Sequence, residues 1–250
     1  MKDFVIDTSD NRMIYVKKFI ENKGYSTYEY SRYNGENEAI YIFSPAKKFS
    51  AKEIDNLNAG SLVYAGNIEM HLKESMIMRN ITHINLLQDE VYAYENAIYT
   101  AEVALMLIIR NTASSIYDMN MLILGYGRVG KAMANLLSTL GVKFAIAARR
   151  YEERASAYLV TSDIRGLDSN FDGIDVIINT IPARIIDSES MRRISHDCYI
   201  LDLASYDVMD SSVAEENELR YSVEHGLPGR FTPRTAGESL VKSVLRTIEV

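Results

Sequence analysis

The chain has 250 residues, 47% apolar and 24% charged, a composition that supports one large or two modest cores and excludes a disordered chain. A net charge of −7 without any lysine- or arginine-rich block argues against nucleic acid or a membrane surface as partner. A single cysteine, Cys198, excludes an internal disulfide or a cysteine-rich zinc site, and the lack of an apolar signal core or long apolar run predicts a soluble, cytoplasmic protein.

Short β-rich runs alternate with helical stretches throughout, which predicts an α/β fold with mainly parallel sheets. In the first part, residues 4–7, 26–30, 39–43, 61–66 and 81–87 are predicted strands, with helices over 11–23, 51–58 and 68–78. Met70, Met76 and Met78 read as core filler, and "YSRYNGENE" (30–38) reads as turn chemistry. A helical pattern over 100–119 runs into the strand "MLILG" without a Pro- or Gly-rich linker, so it is expected to bridge two domains rigidly. Further strands are predicted at 120–124, 143–148, 174–179, 198–203 and 219–223. A last helix, 237–250, carries apolar residues at 240, 241, 244, 245 and 248, a stripe suited to packing back on the N-terminal domain.

The kind of base differs along the chain. Residues 1–118 hold eight lysines and four arginines, whereas residues 119–250 hold three lysines and twelve arginines. Arginine is the better planar fork for phosphates and carboxylates, so anions are expected in the second half; compositional drift is the alternative.

"GYGRVG" sets Gly125, Gly127 and Gly130 in G-x-G-x-x-G spacing, with Arg128 and Val129 inside it. It follows an apolar strand and opens a helix with apolar positions 129, 132, 133, 136, 137 and 140, the context a dinucleotide-binding turn requires. Gly125 permits the tight turn, Gly127 lets backbone approach a pyrophosphate, and Gly130 allows close helix–strand packing. Free N–H groups and the helix dipole then face the anion. The next strand, within "KFAIAARRYEE", ends in Arg149 and Arg150 where an NAD site needs a carboxylate. Two guanidinium groups there favour NADP, Arg149 meeting the 2′-phosphate and Arg150 adding charge. The alternative is a solvated pair bridging to Glu152 and Glu153.

"INTIP" (178–182), "LDLAS" (201–205) and "HGLPGRFTPRTAG" (225–237) fall at or after strand ends, where such folds bind ligands. Together with "GYGRVG", "AARR" and "NAIYTAEVA" (96–104), they resemble the family of dipicolinate synthase A subunits, a relative of the NAD(P)-dependent 2-hydroxyacid dehydrogenases. The resemblance implies a flavodoxin-like N-terminal domain (1–96), a bridging helix (97–119), a doubly wound Rossmann NADP-binding domain (120–229) and a C-terminal helix (230–250). It also implies oxidation of a cyclic dicarboxylate of the dihydrodipicolinate type during spore formation, in partnership with a flavoprotein-like B subunit. Pairing into a homodimer is also compatible with it.

On the same resemblance, Gly125, Gly127, Arg128, Gly130 and Arg149 match the cofactor site. Thr180, Ile181 and Pro182 match the loop near the nicotinamide ribose, and Ser205 closes the neighbouring loop. The chain departs from the family in having Tyr99 for a proline, Val103 for a glycine, and "YDVMDSS" from Tyr206 for a Lys-Pro-Gly-Gly loop. A dicarboxylate needs cationic clamps, and hydride transfer needs a group to move a proton. Arg184 and Arg234 are candidate clamps, and Thr100 and Glu102 are placed at the start of the bridging helix. His225, at a strand end, is a candidate acid or base, and Asp202 either binds ribose or caps a turn. His71, His83 and His196 lack companions at metal-ligand spacing. The competing functions are a shikimate-dehydrogenase-like reductase, for which no lysine–aspartate dyad is found in the N-terminal half, and a nucleotide-binding subunit whose catalytic loop has decayed.

Overall fold

The computed structural model describes residues 2–148, 161–163, 171, 173–205 and 208–248. The chain divides into two compact units, Met1–Asn96 with Pro228–Val250 (unit 1) and Ala97–Leu227 (unit 2).

In unit 1, strands β1 (Asp3–Ile6), β2 (Thr27–Glu29), β3 (Ala39–Ile42), β4 (Leu62–Ala65) and β5 (Thr82–Asn85) form one parallel sheet in the order β2-β1-β3-β4-β5. This is the flavodoxin-like order. Its inner strands β3 and β4 read as unbroken apolar runs because both faces are covered. Phe4, Ile6, Ile40, Ile42 and Tyr64 pack with Met13, Val16 and Ile20 of α1 (Asn11–Asn22). Val5, Tyr41, Phe43 and Val63 face Ile54 of α2 (Ala51–Asp55) and Leu72 and Met76 of α3 (Met70–Met78). The tyrosines of the 30–38 segment join this second core, Tyr30 lying edge-on to Phe43 at 5.0 Å and Tyr33 edge-on to Tyr41 at 6.1 Å. Of the three methionines expected in the core, only Met76 is buried; Met70 and Met78 project outward from α3.

The long helix α4 (Glu90–Asn111) corrects the expected 100–119 span at both ends. It starts early because the Asp89 carboxylate accepts from the Val91 and Tyr92 N–H groups. It stops early because Asn111 and Thr112 donate back to the Leu107 and Ile108 carbonyls, opening an Asn/Thr/Ser-rich stretch. Residues 90–96 of α4 belong to unit 1 and the rest to unit 2.

In unit 2, β6 (Met121–Leu124), α5 (Arg128–Leu140) and β7 (Phe144–Ala148) form the first βαβ element. They are followed by β8 (Thr161–Asp163), β9 (Val176–Asn179), α6 (Ser188–Met191), β10 (Tyr199–Asp202), α7 (Ser211–Glu216) and β11 (Arg220–Val223). The six strands are parallel in the order β11-β10-β9-β6-β7-β8, the doubly wound Rossmann order with its switch point between β6 and β9. The sequence carries no strand signal at β8 and no helix signal at α6 or α7. One sheet face packs on α4 and α5 through Ala104, Ile108, Met133 and Leu137, the other on Ile186, Met191 and Ala214.

The chain then forms α8 (Leu227–Phe231) and α9 (Pro233–Ile248). Proline at the first position starts α9 earlier than the apolar stripe alone indicates. Leu240, Val241, Val244 and Leu245 of α9 enter the unit 1 core beside α1.

Asp89 fastens α9 as well as capping α4, accepting from Ser243 at 2.6 Å and Arg246 at 2.5 Å. Burial works to raise its pKa, but the Ser243 and Tyr92 hydrogen bonds and Arg246 outweigh it and hold the carboxyl below its ordinary value. The folded group therefore releases its proton more readily than the unfolded one. Its stabilisation is complete above the ordinary carboxylate range and is lost as pH falls through that range toward the depressed value. Asp89→Asn is expected to flatten the acid limb of the pH–stability curve, measured by urea unfolding; an unchanged acid limb refutes this role.

Candidate functional site

The site is built where β6 meets α5. All four β6 residues are buried, and the strand runs straight into Gly125, whose N–H donates to Ala147 O at 2.8 Å. Gly125 has φ +97°, a conformation that L side chains rarely adopt, and a Cβ there would lie 2.6 Å from Thr180 Oγ1. A Cβ at Gly130 would lie 2.3 Å from the Gly125 carbonyl oxygen. Helix α5 is thus pressed onto the turn at its third glycine. Gly127 differs: among the described residues no atom lies within 4 Å of the corresponding position, and its φ of −76° is open to any residue. Among the described residues no neighbour requires a glycine at 127, which leaves its backbone open to a group approaching from outside.

The same turn leaves the first N–H groups of the 13-residue α5 without a side-chain cap, since the N-cap residue is Gly127 itself. The first turn carries no acid, Arg128 is exposed, and Lys131 lies 5.5 Å over the Tyr126 ring. Helix dipole, N–H groups and local charge all favour an anion.

The loop after β9 is bound to this turn. Thr180 donates to Leu124 O from both its N–H (2.9 Å) and its hydroxyl (2.8 Å). Ile181 Cγ1 would lie 2.8 Å from a Cβ at Gly125. Thr180 and Ile181 therefore form the wall against which the glycine turn is shaped; Pro182 is exposed beyond them.

Two buried polar residues hold this wall. Asn179 accepts from Ile181 N–H at 3.0 Å and donates to Ile181 O at 3.1 Å and to Asp202 Oδ1 at 2.7 Å. Asp202, fully buried, also accepts from Ala204 N–H (3.0 Å), Val208 N–H (2.6 Å) and the Tyr221 hydroxyl (2.9 Å). These bonds decide between the two roles open to Asp202: it organises the end of β9 and the loop after β10 and ties both to β11 through Tyr221. Asn179 and Tyr221 escape a reading of the sequence, although a polar residue closing an apolar strand in "INTIP" is an available signal.

The remaining candidates are scattered. Arg184 is exposed and lies 3.5 Å from Asp210, the N-cap of α7. Ser205 and His225 are exposed at the ends of the β10 and β11 loops. Arg234 is exposed in the first turn of α9, in unit 1. Thr100 and Glu102 do not open a helix, since α4 begins at Glu90. Two residues apart, they point about 200° from one another, and Thr100 is buried whereas Glu102 is exposed. Arg149 and Arg150 follow β7 and lie outside the described residues. Among the described residues, no group of three His, Cys, Asp or Glu side chains is placed to hold a metal ion, and no helix is long and apolar enough to cross a membrane.

Comparison with known proteins agrees with this geometry. The family model described as D-isomer specific 2-hydroxyacid dehydrogenase, NAD binding domain, matches residues 89–214. The A subunit of dipicolinate synthase from Bacillus subtilis (strain 168) is 28% identical over 211 residues, 82% of this chain and 71% of that protein. The crystal structure of the dipicolinate synthase A subunit from Bacillus halodurans has a TM-score of 0.86 at 22% identity, covering 98% of this chain and 97% of the other. The apo-structure of D-lactate dehydrogenase from Escherichia coli has a TM-score of 0.72 at 12% identity, covering 100% and 97%. The two structural likenesses concern the fold.

Proposed function

We propose a function from one premise: this chain belongs to the D-isomer specific 2-hydroxyacid dehydrogenase family, whose NAD-binding domain its residues 89–214 match. Within it, the chain is of the kind represented by the A subunit of dipicolinate synthase. We infer that it is an NADP-dependent oxidoreductase acting on a small cyclic dicarboxylate of the dihydrodipicolinate type.

The observation that carries the reading is the contrast among the three glycines. Gly125 and Gly130 are demanded by their neighbours, whereas among the described residues nothing lies over Gly127, whose side chain supplies no cap to α5. The helix start there favours the charge of a pyrophosphate. A bound nicotinamide would supply the hydride acceptor. The chain's own residues seat the diphosphate, hold the Thr180–Ile181 wall in place and offer cations to the anionic substrate, with Arg184 proposed for a substrate carboxylate and His225 for moving the proton. The preference for NADP rests on Arg149 and Arg150 at the end of β7. The Bacillus subtilis relative bears a lettered subunit name, which supports partnership with a B subunit.

Calorimetry with NADP and NAD tests the coenzyme. Arg149→Glu is expected to weaken NADP binding by about 100-fold, the loss of a charge-assisted fork on a phosphate, and NAD binding by less than about threefold. Equal loss for both coenzymes would refute the assignment. Coenzyme binding without turnover, even with a B subunit supplied, would favour the decayed-subunit reading instead.

A further inference from the structure

The tyrosine-rich segment after β2 does more than complete the second core of unit 1. Beside it lies a cavity of about 350 Å³, within the size range of small-molecule sites. Tyr41 of β3 is buried at its floor, Tyr30, Tyr33 and Asn58 are half-buried along its sides, and Ser31 and Asn56 are exposed at its mouth. Among the described residues, no charged side chain lines it. Charges close to the tyrosines are spent within the protein: Glu53 pairs with Lys47 at 2.8 Å, and Asp3 accepts from the Tyr33 hydroxyl at 3.2 Å.

The polar groups left over define what can enter. Tyr30 donates its hydroxyl to Glu53 O at 3.5 Å, as Tyr33 does to Asp3, so these two residues offer a ligand ring surface. Asn58 gives its NH2 group to Gly35 O (2.8 Å) and Asn37 O (2.6 Å), which leaves Oδ1 to accept. Tyr41 is the reverse. Its hydroxyl accepts from the Asn58 N–H at 3.4 Å, yet its own proton reaches no acceptor among the described residues. A buried phenol normally has such a partner. Burial raises the Tyr41 pKa, so the proton stays on the phenol and is answered from the cavity. The Ser31 hydroxyl and the Asn56 amide can each both donate and accept.

This inventory excludes three classes of ligand. An anion would face Asn58 Oδ1, a cation would face the Tyr41 O–H, and an apolar molecule would leave that proton buried without an acceptor. A sugar hydroxyl donates and accepts at once, and the C–H face of a sugar ring can lie on tyrosine rings. We propose that this cavity binds a monosaccharide, its ring against Tyr30 and Tyr33, one hydroxyl accepting from Tyr41 and another donating to Asn58 Oδ1. The site lies wholly in unit 1 and is independent of the coenzyme reading.

Amide NMR of the full chain, titrated with glucose, galactose and mannose, tests the proposal. At least one of these sugars should shift the Gly35 and Asn58 resonances saturably, with a millimolar dissociation constant. Gluconate and glucosamine, similar in size but charged, should bind at least about tenfold more weakly. Tyr41→Phe keeps the ring and should weaken binding by about tenfold, the loss of one hydrogen bond, with circular dichroism unchanged. Ser31→Ala, at an exposed position, should weaken it by about threefold and decides the matter if Tyr41→Phe does not fold. The absence of any saturable shift would leave water as the partner of Tyr41 and overturn the proposal. Shifts confined to Gly125 and Gly127, or unchanged affinity in the folded variants, would overturn it as well.

Discussion

Gly130→Ala is expected to lower the stability of unit 2 by about 2–4 kcal/mol and to weaken coenzyme binding by at least about 100-fold. The added Cβ would stand 2.3 Å from the carbonyl oxygen of Gly125 and 3.0 Å from its carbonyl carbon, so backbone has to move. Two movements are open, and both damage the site. Helix α5 could lift from β6, which opens the core around Met133 and Leu137 and carries the helix N-terminus away from the anion. Alternatively the Gly125 peptide could yield, but that residue is held at φ +97° with Thr180 and Ile181 against it. For a chain of this size each kcal/mol corresponds to roughly 2–4 °C in Tm. Gly127→Ala is the control: among the described residues its Cβ meets no atom within 4 Å, so stability should change by less than about 1 kcal/mol. Coenzyme affinity should nonetheless fall, because the methyl group enters the space assigned to the pyrophosphate. Calorimetry and thermal unfolding on both variants decide the matter. If Gly127→Ala keeps full affinity, the open space over that residue is not where the diphosphate lies.

The second large effect is expected at Asp202. Removing its carboxylate by Asp202→Ala deprives Asn179, Ala204, Val208 and Tyr221 of their acceptor at a fully buried position. Stranded buried donors cost about 1–3 kcal/mol each when nothing rearranges, and partial relaxation brings the expected total to about 3–5 kcal/mol. Asp202→Asn keeps the shape but turns an NH2 toward donors, so an intermediate loss of about 1–3 kcal/mol is expected. Tyr221→Phe removes a single bond and should cost only about 1 kcal/mol. Urea unfolding supplies all three numbers. A loss of no more than about 1 kcal/mol for Asp202→Ala would mean that these loops are held by something else. Because the same network fixes the Thr180–Ile181 wall through Asn179, coenzyme affinity should follow the stability order.

These residues also show what is legible in the sequence. The central strands are, because a strand buried on both faces is written as a plain apolar run, as in "AIYIF" and "MLILG". Strand β8 is not: Thr161–Asp163 sits at the edge of its sheet, where a short polar stretch can pair through its backbone alone. The start of α4 is hidden because its signal is one capping residue, Asp89, rather than a change of periodicity. Its end is signalled by Asn111 and Thr112 but masked by the apolar residues that follow. Met70 and Met78 mislead for the opposite reason, since an apolar side chain does not by itself say that it is buried. The glycine turn can be read with its roles, since spacing and context specify it fully. Asp202 cannot, because its meaning depends on donors at 179, 204, 208 and 221, whose convergence the linear order does not reveal.

The discontinuous make-up of unit 1 has an effect on biosynthesis. Its sheet is made before unit 2, yet Leu240, Val241, Val244 and Leu245, which seal one face of that sheet, are made only after unit 2. Until they emerge, Phe4, Ile6, Ile40 and Ile42 lack part of their covering, while the intervening unit 2 is already complete and free to form. The nascent chain is thus exposed to chaperones and proteases at that sheet, and a ribosome stalled before α9 would release a product with a finished nucleotide-binding unit joined to an open, sticky sheet.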